Sequence, residues 1–272
     1  MKRLFRRRIV LYGAVVFLIL VLVAVFADVL APFSPTGMNV RSRLHSPSSE
    51  FWLGTDNLGR DVLSRLIHGA RISLIAGFAS VVVSTVAGVI IGTLAGYYPR
   101  ADTLLMRIMD GLMAFPVILL AVALMAALGP TLINVIIALS AVYAPRTARI
   151  VRSAVLGVKQ TPYVEAAGAL GSRNARIIGR HILPNCLSPI IVQATFIFAY
   201  AVQAEAALSF LGVGVPPSVP SWGSMLSEAR LYMTQAPWMM IPPGLAIAVT
   251  VLALNSIGDG LRDFLDPRFS DL

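Results

Sequence analysis

The sequence predicts an all-α polytopic membrane protein with six transmembrane helices. Three observations lead there. Hydrophobic residues make up 57% of the 272 positions and charged ones only 13%, where a soluble domain carries about a quarter. Mean hydropathy is +0.80. Six apolar runs, roughly 9–27, 72–96, 104–128, 131–151, 187–208 and 238–258, approach the ~20 residues that a helix needs to cross hydrocarbon. Helices are favoured over open sheet because they satisfy every backbone polar group within the segment.

The first run follows a basic start, Met1-Lys2-Arg3-Leu4-Phe5-Arg6-Arg7-Arg8. It is longer than a signal-peptide core, and no small-residue cleavage site follows. It reads as an uncleaved first span; a cleaved signal is the alternative. Six spans place both termini on one side. With the N-terminus inside, only Arg41, Arg43, Arg60, Arg65, Arg71 and Arg230 of the 22 basic residues fall outside, as the positive-inside rule requires. Topology therefore accounts for most of the +9 net charge, and nucleic-acid binding becomes unnecessary. The chain divides into an anchor helix with an external segment (1–71), a five-span core (72–258) and a polar tail (259–272).

Two runs carry further pattern. In the second, Ala76, Ser80, Ser84, Gly88, Gly92 and Gly96 recur every fourth residue. Such spacing lets helix backbones approach closely, and predicts helix packing more readily than a pore lining. Ahead of it, Arg60–His68 is amphipathic at helical spacing, which suggests an interfacial helix leading into the span. The single cysteine, Cys186, excludes an intrachain disulfide and reads as packing.

An ATP-driven pump needs a phosphate loop with a lysine. The chain has two lysines, Lys2 and Lys159, and neither lies in one. Gly54-Thr55-Asp56-Asn57-Leu58-Gly59-Arg60-Asp61 has the glycine spacing, but Arg stands for Lys and Asp for Ser/Thr. Nucleotide binding there is rejected.

The loop between the fourth and fifth runs has helix signals at both ends. Thr161 and Pro162 suit an N-cap and a first helical position. Glu165 suits the positive end of the helix dipole. Gly171 suits a helix end, with Ser172 capping a second short helix that Pro184 stops. The residues alone describe a compact docking element with an Ala/Gly-rich face.

Glu165-Ala166-Ala167, three residues, Gly171, then Leu183-Pro184 resembles the EAA loop of ATP-binding cassette (ABC) importer permeases. His181, where many members carry Ile, is closer to the peptide-permease subgroup. Further matches span nearly the whole chain: Leu53–Asp56 with Gly59–Asp61, Ser209–Gly212, Pro220–Gly223, Gln235–Trp238, and Gly258–Asp263 with Asp266-Pro267-Arg268. Together they resemble the C-type permease subunit of dipeptide, oligopeptide and nickel importers. The resemblance implies a type I importer permease fold in a bacterial cytoplasmic membrane. It implies a homologous sister permease, two cytoplasmic ATPase subunits that bind ATP and Mg, and an extracytoplasmic solute-binding protein. No cofactor is implied in this chain. Glu165, Ala166, Ala167 and Gly171 map onto the coupling helix, with Leu183 and Pro184 completing the loop.

Two acidic residues at or within the runs invite a role. Asp110, three residues after Arg107, suggests a local ion pair. Glu205 either faces the translocation path or caps neighbouring backbone, since intramembrane carboxylates default to a functional reading. Other classes fit less well. An ion-coupled secondary carrier needs an ionisable site at mid-membrane, which runs one, two, four and six nearly lack. An intramembrane enzyme needs a catalytic set at one depth, and none is visible. Peptide and nickel branches are not separable at this level.

Overall fold

The computed structural model describes residues 2–265, with side chains from Arg8 onward. The motif residues Asp266, Pro267 and Arg268, and the side chains of Lys2, Arg3, Arg6 and Arg7, lie outside the described residues. The described chain is helical: α1 (Lys2–Val25), α2 (Ala27–Leu30), α3 (Val62–Tyr97), α4 (Pro99–Met113), α5 (Val117–Leu128), α6 (Leu132–Lys159), α7 (Pro162–Ala169), α8 (Asn174–Arg176), α9 (Leu187–Phe210), α10 (Trp222–Ala229) and α11 (Ile241–Leu265).

Four described segments are long and apolar enough to cross a membrane: Arg8–Val25, Val62–Tyr97, Asn174–Phe210 and Pro237–Leu265. The third expected span is not one straight helix. It breaks into α4 and α5, bent by 93°. Pro116 is the physical cause, because its ring disfavours helical geometry at Phe115 and it donates no backbone hydrogen bond. With the bent pair counted as one, five spans result. The expected fourth run lies within α6, whose 28 residues reach about 42 Å but include Arg146, Arg149, Arg152 and Lys159.

A second difference concerns α3. The amphipathic stretch and the second run form one unbroken 36-residue helix. No proline interrupts it. Its start is fixed by Asp61, whose carboxylate accepts from the Ser64 amide and hydroxyl, both at 2.7 Å.

The small-residue stripe is the seam between α3 and α6. A β carbon on Gly88 would lie 2.4 Å from Thr147 Cβ, and one on Gly92 would lie 2.4 Å from the Ala148 carbonyl oxygen. Gly96 meets Val155 and the Arg152 backbone in the same way. The helices are therefore at backbone contact, where dispersion replaces the hydrophobic drive that lipid removes. Gly92→Leu is expected to destabilise the protein by about 3 kcal/mol, the upper range for overpacking, because backbone cannot swing aside. Gly111→Ala, in open space, should gain roughly 1 kcal/mol. Thermal aggregation midpoints in detergent check both; equal midpoints for Gly92→Leu and wild type would refute the seam.

Around this pair, α9 packs on α3, α11 on α9, and α1 on α11 and α3. Ala121, Met125, Val135, Leu139, Ile197 and Leu208 belong to the largest apolar core. Gly13 admits Ala253 and Ser256 against α1, and Phe17 meets Phe198 edge-on.

Candidate functional site

The loop after α6 is built by two devices. Val164 is buried and joins Val151, Val155, Ile177, Ile182, Cys186 and Ile190 in a separate apolar cluster. Cys186 is thus packing. This plug mounts α7 on the end of the bundle. The turn after α7 is a Schellman motif: the Ser172 amide donates to the Ala167 carbonyl at 3.1 Å and the Gly171 amide to the Gly168 carbonyl at 3.0 Å. It requires the left-handed φ of +78° found at Gly171, which glycine adopts freely.

Several local expectations change here. Thr161 precedes α7 and Pro162 opens it, but the Thr161 hydroxyl donates back to the Val158 carbonyl instead of accepting from α7. Ser172 does not cap the next helix; Arg173 occupies that position. Nor does Pro184 stop the segment. Ile177–Ile182 form a wide π turn and Leu183–Cys186 a tight 3-10 turn, which run directly into α9. Proline is tolerated in the first positions of the tight turn, where an amide hydrogen would have no partner.

Glu165, Ala166, Ala167 and Gly171 come together on one protruding turn. Glu165, Ala166 and Gly171 are exposed and Ala167 is half-buried. Leu183 and Pro184 sit apart from that protrusion, at the base of α9. Sequence reasoning missed Leu170, which is 87% exposed. A lone leucine in an apolar chain reads as core, and only its place beside the turn glycine marks it. Lys159 donates to the Tyr97 carbonyl and the Tyr97 hydroxyl to Asn174, both at 2.9 Å. These contacts tie the loop to the end of α3.

The same region holds two cross-helix ion pairs. Arg152 grips Asp102 through Nε and Nη2 at 2.5 and 2.6 Å. Asp110 pairs with Arg149 at 2.6 Å instead of with Arg107. The i−3 neighbour is outcompeted because α6 presents its guanidinium across the interface.

Towards the other end of α9, Glu205 is fully buried. It accepts from Ser73 of α3 at 3.0 Å and from Ser209 at 2.8 Å. Each serine oxygen in turn accepts a backbone amide, Trp222 at 3.2 Å and Val215 at 3.1 Å. Its neighbours are side-chain hydroxyls, not backbone groups, and they link α3, α9 and the start of α10. A buried carboxylate is tolerable when its oxygens are satisfied in this way.

The glycine-spaced segment 54–61 folds onto itself through a Thr55–Asp61 bridge. Its Leu58 and Arg60 amides donate to the Asp56 carboxylate at 2.8 and 3.0 Å. Asp56 also accepts from Arg60 Nε and Arg65 Nη1, each at 2.5 Å. Glu228 of α10 closes the cluster, 2.5 Å from Arg60 and 2.7 Å from Arg65. Two guanidiniums and two carboxylates cancel one another in a site where unpaired charge is costly.

Comparison with known proteins agrees with this architecture. Residues 84–271 match the family described as the inner membrane component of binding-protein-dependent transport systems. Residues 1–47 match the N-terminal transmembrane domain of oligopeptide transport permease C. The di/tripeptide transport system permease protein DppC of Pseudomonas aeruginosa is 47% identical over 95% of this chain and 88% of its own length. The dipeptide transport system permease protein DppC of Alkalihalophilus pseudofirmus is 46% identical over 98% of this chain and 88% of its own. The glutathione transport system permease protein GsiD of Pectobacterium atrosepticum is 44% identical over 98% and 89%. Among solved structures, an inward-facing MetNI methionine ABC transporter chain superposes with a TM-score of 0.62 at 21% identity, covering 74% of this chain and 96% of that one. The bent and unbroken helices, the glycine seam and the protruding loop are thus the fold of an ABC importer permease, and the chain belongs to the family of inner membrane components of binding-protein-dependent transport systems.

Proposed function

We propose that this chain translocates di- or oligopeptides across the cytoplasmic membrane as one half of a heterodimeric permease. With α6 added to the five spans counted above, six crossings put both termini and the Glu165–Gly171 turn in the cytoplasm. Two ATPase subunits, binding ATP and Mg, engage that turn, and an extracytoplasmic solute-binding protein delivers the peptide to the opposite end. Closure of the ATPase pair drags the turn and rocks the helices between inward- and outward-facing arrangements.

One observation carries this reading. A rigidly mounted turn projects Glu165, Ala166 and Leu170 away from the bundle, where this chain gives Leu170 almost no cover. An 87% exposed leucine beside small residues suits a groove in another protein. The peptide substrate draws support from relatives named for dipeptides, di/tripeptides and glutathione.

The test is uptake of a labelled dipeptide by the reconstituted complex with ATP held constant. Uptake is expected to survive collapse of proton and sodium gradients by ionophores. Loss of uptake under those conditions assigns the chain to an ion-coupled carrier. Transport of nickel without transport of any peptide removes the substrate assignment.

A further inference from the structure

Three arginines follow one another on α6 at intervals of three residues. Arg152 holds Asp102 and Arg149 holds Asp110. Arg146, one turn further, has no carboxylate partner among the described residues. α4, which supplies the other two acids, ends at Met113. The guanidinium of Arg146 instead lies over the ring of Tyr200, 5.3 Å from its centroid. Tyr143, on the same helix, donates its hydroxyl to the Tyr200 carbonyl at 3.1 Å and holds that part of α9 in place.

Its depth makes the lone charge significant. Adjacent Thr147 packs level with Gly88, nine residues before α3 ends at Tyr97. At 1.5 Å per residue that is about 14 Å of helix; with the end of α3 set at the inner membrane face, this is close to half the ~30 Å hydrocarbon thickness. Tyr200 likewise lies in the middle of α9. Arg146 is nevertheless exposed on the chain's surface. An arginine at mid-membrane is strongly disfavoured against lipid and faces a bundle interior or a water-filled path. The cation–π contact with Tyr200 steadies the guanidinium without consuming its N–H donors.

We propose that Arg146, seated on Tyr200, receives the C-terminal carboxylate of the transported peptide as it passes between the permease halves. A guanidinium offers a planar pair of donors that matches a carboxylate. Every linear peptide carries that group whatever its side chains, so one fixed arginine serves a mixed substrate pool. The inference rests on the peptide reading above.

The complete complex in proteoliposomes tests it, with trialanine and trialanine amide each saturating the solute-binding partner as confirmed by calorimetry. Wild type is expected to take up the free-acid form at least about tenfold faster than the amide, one logarithmic step of discrimination. Arg146→Gln should bring the ratio near one by lowering uptake of the acid alone. Arg146→Lys, which keeps charge but not the planar fork, should fall between. A wild-type ratio near one overturns the proposal, as does an unchanged ratio in Arg146→Gln. Failure of both variants to co-purify with the sister permease overturns it in favour of an ion pair between subunits. If wild type moves neither peptide, the peptide reading itself fails and this one falls with it.

Discussion

Arg65→Met should destabilise the protein by about 3–5 kcal/mol, the usual cost of removing one partner from a buried ion pair. Arg65 is 2% exposed and joins Asp56 to Glu228. Methionine keeps most of the stem volume, so the loss reports charge and hydrogen bonding more than cavity. Without Arg65 the cluster is left with two carboxylates and one guanidinium. The double variant Arg65→Met with Glu228→Met restores neutrality, since Arg60 and Asp56 still pair. It should recover at least about 1 kcal/mol relative to the single change, within the range of couplings between residues in contact. Thermal unfolding of the purified chain in detergent measures all three proteins. A single variant within about 1 kcal/mol of wild type, the common effect of an ordinary substitution, contradicts this role for the cluster.

The position of this cluster gives it mechanical meaning. It joins the segment before α3, the first turns of α3 and α10. Trp222 reinforces the joint by donating to the Leu66 carbonyl at 3.1 Å, and Trp238 by donating to the Thr55 carbonyl at 3.2 Å. Gly54 has a φ of +71°, and a β carbon there would lie 2.7 Å from the Trp238 ring. One end of α3 is thus fixed by charge and close packing. At its other end Tyr97 contacts the protruding loop region through Lys159 and Asn174. A helix pinned at one end and linked to a protruding loop at the other suits rigid-body rocking.

What was legible in the sequence divides along the range of the interactions. Long apolar runs and a four-residue spacing of small residues are local patterns; they located the main helices and the packing face of α3, but not α6 as its partner. Gly171 was legible because a left-handed residue after a short helix has a strong glycine preference. The break at Phe115-Pro116 was written in the proline, but hydropathy averages across it. The continuity of α3 was masked by reading an amphipathic start and an apolar remainder as separate elements. Pairings such as Asp110 with Arg149, 39 positions apart, or Arg65 with Glu228, 163 apart, have no local signature. For Asp110 a nearby arginine even supplied a plausible wrong partner. Glu205 stood out as a charge in an apolar run; Ser209 lies four residues on in the same helix, whereas Ser73 comes from α3, 132 positions away, and could not be read from spacing.

Glu165→Lys combined with Gly171→Trp should abolish peptide uptake and lower co-purification of the ATPase subunits by at least about tenfold, equivalent to ~1.4 kcal/mol of lost association. This follows from the coupling role proposed for the turn. Glu165 is exposed in the first turn of α7, so lysine reverses the charge offered to a partner and places a cation at the positive end of the helix dipole. Gly171 has no neighbouring atoms within 4 Å of its would-be β carbon. A β carbon there meets no clash within this chain, only the local strain of the left-handed φ, and the bulk of tryptophan blocks an approaching surface. Leu170→Ser separates the two contributions. It removes an exposed apolar side chain while leaving the Schellman turn and the Val164 plug in place. It should weaken ATPase association without changing the thermal midpoint of the isolated chain. The control is membrane insertion, read from the amount of each variant in the membrane fraction. Wild-type ATPase association in the double variant, with normal insertion, would sink the coupling assignment and leave the turn as a surface feature.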